Sequence, residues 1–173
     1  MVLSRGWQHH PLEDYGSQLN PTSLNSPEVT RIIVLIQFAA TWAMVGLIWL
    51  VQVVHYPLFR LVGSGDFKGY QHNHTRLISW VVGPPMLAEG LSAAFLAWYR
   101  PAAVPESAAL AGFLLLLVIW ASTAFLQVPQ HNRLAHGFHT AAYRKLVATN
   151  WVRTAAWSLR GLLTVWMVWK VAR

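Results

Sequence analysis

Four apolar runs, at about residues 32–55, 77–98, 108–126 and 154–171, divide this chain. Each is close to the roughly 20 residues that cross a hydrocarbon core. The polar residues within them fall into lines. In the first run Gln37, Thr41, Gln52 and His55 recur at intervals of 4, 11 and 3, which keeps them near one helical face. Trp120, Thr123, Gln127, Gln130 and His131 share a side of the third run and its end. In the fourth, Asn150, Arg153, Trp157, Arg160 and Thr164 follow steps of 3, 4, 3 and 4. The second run carries a single acid, Glu89, one turn after Pro84-Pro85. Lines of this kind face one another, because lipid is the worse surrounding for them. The pattern predicts an all-α integral membrane four-helix bundle, up-down-up-down, with a polar interior.

Local signals set the expected boundaries at about 27–56, 75–99, 105–131 and 144–172. Ser26-Pro27-Glu28 is a helix start, with a capping serine, a proline in the first turn and an acid after it. Pro57 reads as the end of the first helix or a kink in it. Gly63-Ser64-Gly65-Asp66 and Gly69 read as a loop that carries Gln71, His72, Asn73 and His74 to the second helix. Pro105-Glu106 opens the third. Residues 1–26 read as a polar, proline-punctuated tail containing His9 and His10, and residues 27–173 as one transmembrane domain.

Composition fits this picture: 55% of residues are hydrophobic and only 11% charged, against roughly 25% charged in soluble domains. The formal charge of +7 does not point to nucleic acid, because the basic residues mostly flank apolar runs, where topology and anionic headgroups account for them. Arg60, Lys68, Arg76, Arg133, Arg144, Lys145 and Arg153 lie on the side where the first and third helices end; Arg31, Arg100, Lys170 and Arg173 lie on the other. The bias predicts a plasma (inner) membrane protein with the first side cytoplasmic and both termini outside. Trp98, Tyr99, Trp166 and Trp169 would form the outer aromatic belt, and the first helix would act as an uncleaved signal. The absence of cysteine excludes disulfides, thiolate ligands and a cysteine nucleophile.

The chemistry gathers on the cytoplasmic side, where QVPQHNRLAHGFH (residues 127–139) closes the third apolar run. His55, His74 and His131, on three different helices, fall near one interface. Imidazoles on neighbouring helices can hold a metal or haem, or act as general acid–base groups. These three are the candidate ligands or catalysts, with His72, His136 and His139 as alternates. A haem or a non-haem metal ion is the cofactor such a cluster admits. Gln52, Gln127 and Gln130 are candidates for orienting a ligand, and Arg153 for stabilising oxyanion charge. Glu89 and Arg160 lie at compatible depth and are expected to pair. Trp120 and Trp157, on the polar lines, are the two tryptophans expected inside and lining a pocket.

The segment VPQHNRLAHGFH, with Asn150-Trp151-Val152-Arg153 and Trp157-Ser158-Leu159-Arg160, resembles the anthrone-oxygenase-like family of small four-helix membrane proteins. That family ends its third helix with a Val-Pro-x-x-Asn-x-Leu type motif, matched here by Val128, Pro129, Asn132 and Leu134. It opens the fourth with a Trp, Asn and Arg group, matched by Asn150, Trp151 and Arg153. The resemblance covers some 40 residues and implies a four-helix bundle that oxidises an aromatic, lipid-soluble substrate. The sequence therefore suggests a membrane oxidoreductase or oxygenase acting on a small hydrophobic, aromatic or quinone-like molecule. The alternative is a non-catalytic subunit that holds haem, metal or pigment, or braces a membrane complex or homo-oligomer.

Overall fold

A computed structural model of the chain describes residues 26–173. The expected tail, His9 and His10 included, lies outside the described residues apart from Ser26. Those residues form four long helices: α1 (Pro27–Leu61), α2 (Phe67–Tyr99), α3 (Glu106–Leu134) and α4 (Thr140–Val171). The Ser26 hydroxyl accepts from the Val29 amide at 3.2 Å and starts α1. At the far end of α2, Arg100 takes a left-handed conformation, φ 48°, and Pro101 follows, so the helix cannot continue.

The largest departures from the expected boundaries are at the end of α1 and the start of α2, each for a physical reason. Of the two readings of Pro57, an end or a kink, α1 does not end there. The turn before it widens into a π-helical segment, Val51–His55, and the chain stays helical to Leu61. Pro129 is preceded in the same way by a π-helical segment, Thr123–Gln127. A proline lacks an N–H and crowds the carbonyl four residues back; a widened turn accommodates both defects. The second difference is that α2 begins at Phe67, so Gln71, His72, Asn73 and His74 are helical rather than looped. Phe67 and Gln71 are fully buried and lie with Tyr70 and His74 on one helical face. Burial of that face outweighs the modest cost of Gly69 in the first turn.

Three of the four helices, α1, α2 and α3, are long and apolar enough to cross a membrane. α4 is as long, but its arginines and polar stripe dilute its apolar residues. Apolar side chains are prominent on the outside: Trp98 is 84% exposed, Trp80 and Phe125 77%. The interior is polar by comparison, with Gln37, Thr41, Glu89, Asn150, Arg160 and Thr164 all buried.

Three apolar clusters order the core. At one end Val34, Leu96, Ala108 and Met167 join the beginnings of α1 and α3 to the ends of α2 and α4. Met44, Ile48, Ile119 and Trp157 form the middle. Phe59, Phe67, Leu134 and Leu146 close the other end, beneath the histidines. Leu47, Leu115 and Leu163 are half-buried in these layers.

Candidate functional site

The π-helical turn of α1 presents His55 towards α2, where His55 Nε2 meets His74 Nδ1 at 2.9 Å. His131, from the end of α3, approaches the pair, with its ring centroid 5.5 Å from that of His74. The three imidazoles thus come together from three helices. Phe59, fully buried, sets its edge against His55 and His74, each at 5.2 Å between centroids. Tyr70 stacks parallel to His74. Rings packed this way are held in place before any ligand arrives.

Two residues that sequence reasoning passed over set the orientation of His131. Gln71 Nε2 lies 2.8 Å from His131 Nδ1 and 3.4 Å from the His131 carbonyl oxygen. The carbonyl can only accept, which fixes the amide nitrogen on this side, so Nδ1 accepts too. The His131 proton then sits on Nε2 and is donated to the Tyr56 hydroxyl oxygen at 3.1 Å. Tyr56, 3% exposed, keeps its own hydroxyl proton to donate elsewhere. The available signal for Gln71 was its spacing from Phe67 and His74, and for Tyr56 its place next to His55 at the expected end of the first helix.

Tyr56, His74, His131 and Arg153 line one cavity of about 240 Å³. Its walls are Met44, Leu47, Ile48, Val51, Ile78 and Val82, with Thr75, Ser79, Thr123, Gln127 and Asn132 as further polar groups. His74 also faces a groove of about 440 Å³ between α1 and α2, where His55, Tyr70 and Asn73 join apolar side chains. Arg153 lies beside the Tyr56 hydroxyl and over the ring of Trp157, 5.2 Å from its centroid. Its Nε has no partner among the described residues, and neither does Gln127 Oε1.

The other expected site residues have different surroundings. Gln52 ties α1 to α4, donating to the Val147 carbonyl at 3.3 Å and accepting from Asn150 at 2.8 Å. Gln127 donates to Thr149 at 2.9 Å. Gln130 is buried away from the cavity. Glu89 and Arg160 do pair, at 3.0 Å and fully buried. Glu89 also accepts from Thr41 at 2.7 Å and from the Trp157 indole at 3.0 Å, while Arg160 donates to the Gly112 carbonyl. That cluster lies deeper than the cavity and does not line it. Trp157 is fully buried as expected; Trp120 is not, being 40% exposed with its ring over Gly90 of α2. The π-helical turn that follows Trp120 breaks the phase of the stripe, so residues before and after it face different ways. His72 and His136 are exposed, and His139 caps α4 by accepting from the Ala142 amide at 3.3 Å.

The expected metal or haem does not fit these residues. Among the described residues no three His, Cys, Asp or Glu side chains are disposed to hold a metal ion. His55 and His74 spend a nitrogen each on their mutual bond, and both nitrogens of His131 are engaged. What the arrangement offers is hydrogen-bond donation and proton exchange at the polar end of an apolar cavity. No family model, no curated protein and no solved structure matches the chain.

Proposed function

We propose that the protein is an integral membrane four-helix bundle, up-down-up-down. In this reading it binds a small hydrophobic, aromatic or quinone-like molecule between its helices and acts on it as an oxidoreductase or oxygenase. The observation that carries the reading is the cavity: apolar walls, with Tyr56, His131 and Arg153 converging at one end. Apolar clefts with a few convergent polar groups are the usual form of a small-molecule site. The apolar outer surface supports membrane insertion. The pairing of helix beginnings with helix ends in the core supports the alternating course. The anthrone-oxygenase-like resemblance of VPQHNRLAHGFH and of Asn150 to Arg160 supports the reaction class. The basic residues beside the histidines support a cytoplasmic site in a plasma (inner) membrane, with both termini outside.

In the site, Tyr56 donates its hydroxyl proton to a ligand oxygen, and Arg153 stabilises negative charge there. His131, oriented by Gln71, supports Tyr56. The His74–His55 pair moves a proton between cavity and groove, because His74 faces both. Two experiments test this. Single cysteines at Lys68 and Lys145, introduced into a chain with none of its own, should be labelled from the cytoplasmic face, and one at Arg100 from the opposite face. Mass spectrometry of protein purified in mild detergent should reveal a bound hydrophobic molecule that is lost from Arg153→Gln. Labelling of all three positions from one face sinks the topology, and a ligand retained by the variant sinks the site.

A further inference from the structure

We infer that the ligand of this cavity is an apolar molecule bearing one anionic oxygen group, a carboxylate or a phenolate, received by Arg153 and Tyr56. The inference rests on reading the cavity as a ligand site and narrows what enters it. Arg153 is nine-tenths buried, with 9% of its surface exposed. The described residues form two ion pairs, Arg160–Glu89 and Arg100–Glu106, and neither involves Arg153. Among the described residues no acidic side chain lines the cavity. Trp157 offers the guanidinium a ring face but no negative charge. A buried cation without a counter-ion is costly to hold, and here it borders a space large enough for a ligand. An anion placed in that space supplies the missing charge.

The geometry selects the kind of anion. Arginine presents a planar fork of donors that matches a carboxylate or a single oxyanion better than a point charge does. The Tyr56 hydroxyl adds a donor: its oxygen already accepts from His131, and its proton is unspent. The rest of the lining, Met44, Leu47, Ile48 and Val82 among it, has nothing to offer a polar body. An apolar frame with one anionic end fits both parts of the cavity.

The test uses the full chain in phosphatidylcholine nanodiscs, which contain no competing anionic lipid. Equilibrium binding is measured for 2-naphthoate (a carboxylate), 2,4-dinitrophenolate (a phenolate) and the neutral 2-naphthylmethanol. At least one anion is expected to bind tenfold or more tightly than the alcohol. Arg153→Gln should remove that preference and change the affinity for the alcohol less than twofold; which anion is preferred separates carboxylate from phenolate. If the native chain binds all three alike, the anion inference fails and the ligand cavity stands. If it binds none, both fall. A preference that survives Arg153→Gln also overturns the inference, because the anion then sits elsewhere. Should the glutamine variant not fold, Arg153→Lys carries the test. Weaker binding of the anions alone supports the assignment, and an equal loss for all three probes refutes it.

Discussion

Arg160 and Arg153 stand seven residues apart on the same face of α4, both buried, and their surroundings are opposite. Arg160 has a carboxylate at 3.0 Å, and that carboxylate takes two further donors, Thr41 and Trp157. Arg153 has an aromatic face, a neighbouring phenol and a cavity. One indole serves both, since Trp157 gives its N–H to Glu89 and its ring to Arg153. Donation to a carboxylate makes the ring richer in electrons and the better partner for a cation. The contrast separates charge that organises a fold from charge kept available. A paired arginine is satisfied within the protein, while an unpaired one beside a cavity is satisfied from outside.

The largest effect expected from breaking this contrast is on the paired side. Arg160→Leu leaves Glu89 buried without its cation and should cost about 3–5 kcal/mol of unfolding free energy in detergent micelles. Glu89→Ala should cost a similar amount. Their combination, Glu89→Ala with Arg160→Leu, should be more stable than either single variant, because each single change leaves a buried charge without its partner and the double change leaves none. Additive losses would mean that the two residues are not coupled.

Arg160, Arg153 and their stripe were legible because steps of 3, 4, 3 and 4 keep phase along an unbroken helix, and all five members are buried. Trp120 was not, because the π-helical turn at Thr123–Gln127 inserts about 100° of rotation per extra residue between it and Gln127. The three histidines were legible from their position alone, each near a helix end on the same side. Gln71, Tyr56 and Phe59, which hold them, were hidden for different reasons. Gly63, Gly65 and Gly69 disguised the start of α2 as a loop, and an aromatic at a helix end reads as a membrane-belt residue. The metal expectation came from three imidazoles near one interface; the structure bonds His55 to His74 and engages both nitrogens of His131 with Tyr56 and Gln71.

The next effect sharpens the Arg153 side. Gln71 is the neutral scaffold that turns the His131 Nε2–H towards the Tyr56 oxygen. Gln71→Leu strips the donor from His131 and leaves buried acceptors unpaired, at a cost of about 1–3 kcal/mol. Gln71→Asn keeps the amide but shortens its reach and should fall between native and leucine. Denaturant titrations of the three proteins in the same detergent check the order. A leucine variant as stable as the native chain would mean that the Gln71 bonds contribute nothing.

Arg153→Met should move stability the other way. Removing a buried charge that has no carboxylate, and filling its place with an apolar chain, should raise unfolding free energy on the order of 1 kcal/mol in the absence of ligand. The same change at Arg160 must lower it. Opposite signs at two arginines on one face of one helix are what the comparison requires. A loss at Arg153 comparable to that at Arg160 would show that Trp157 and Tyr56 already compensate its charge.

The smallest effect belongs to the other ion pair, Arg100–Glu106, which bridges the turn between α2 and α3 at 2.9 Å with both side chains more than half exposed. Its geometry is as good as that of Arg160–Glu89, so distance cannot distinguish the two; only surroundings can. Water and salt screen exposed charges, and holding two long side chains together costs entropy, so such pairs contribute about 0–1 kcal/mol. The left-handed conformation of Arg100 and Pro101 end α2 without help from Glu106. Glu106→Gln should therefore leave the unfolding midpoint within error of the native value, and raising salt should change neither protein measurably. Glu89→Gln, the same chemical change at nearly the same bond length, should lower the midpoint clearly. Equal shifts from the two glutamines would show that burial does not set the strength of these pairs, and the contrast between Arg160 and Arg153 would lose its physical basis.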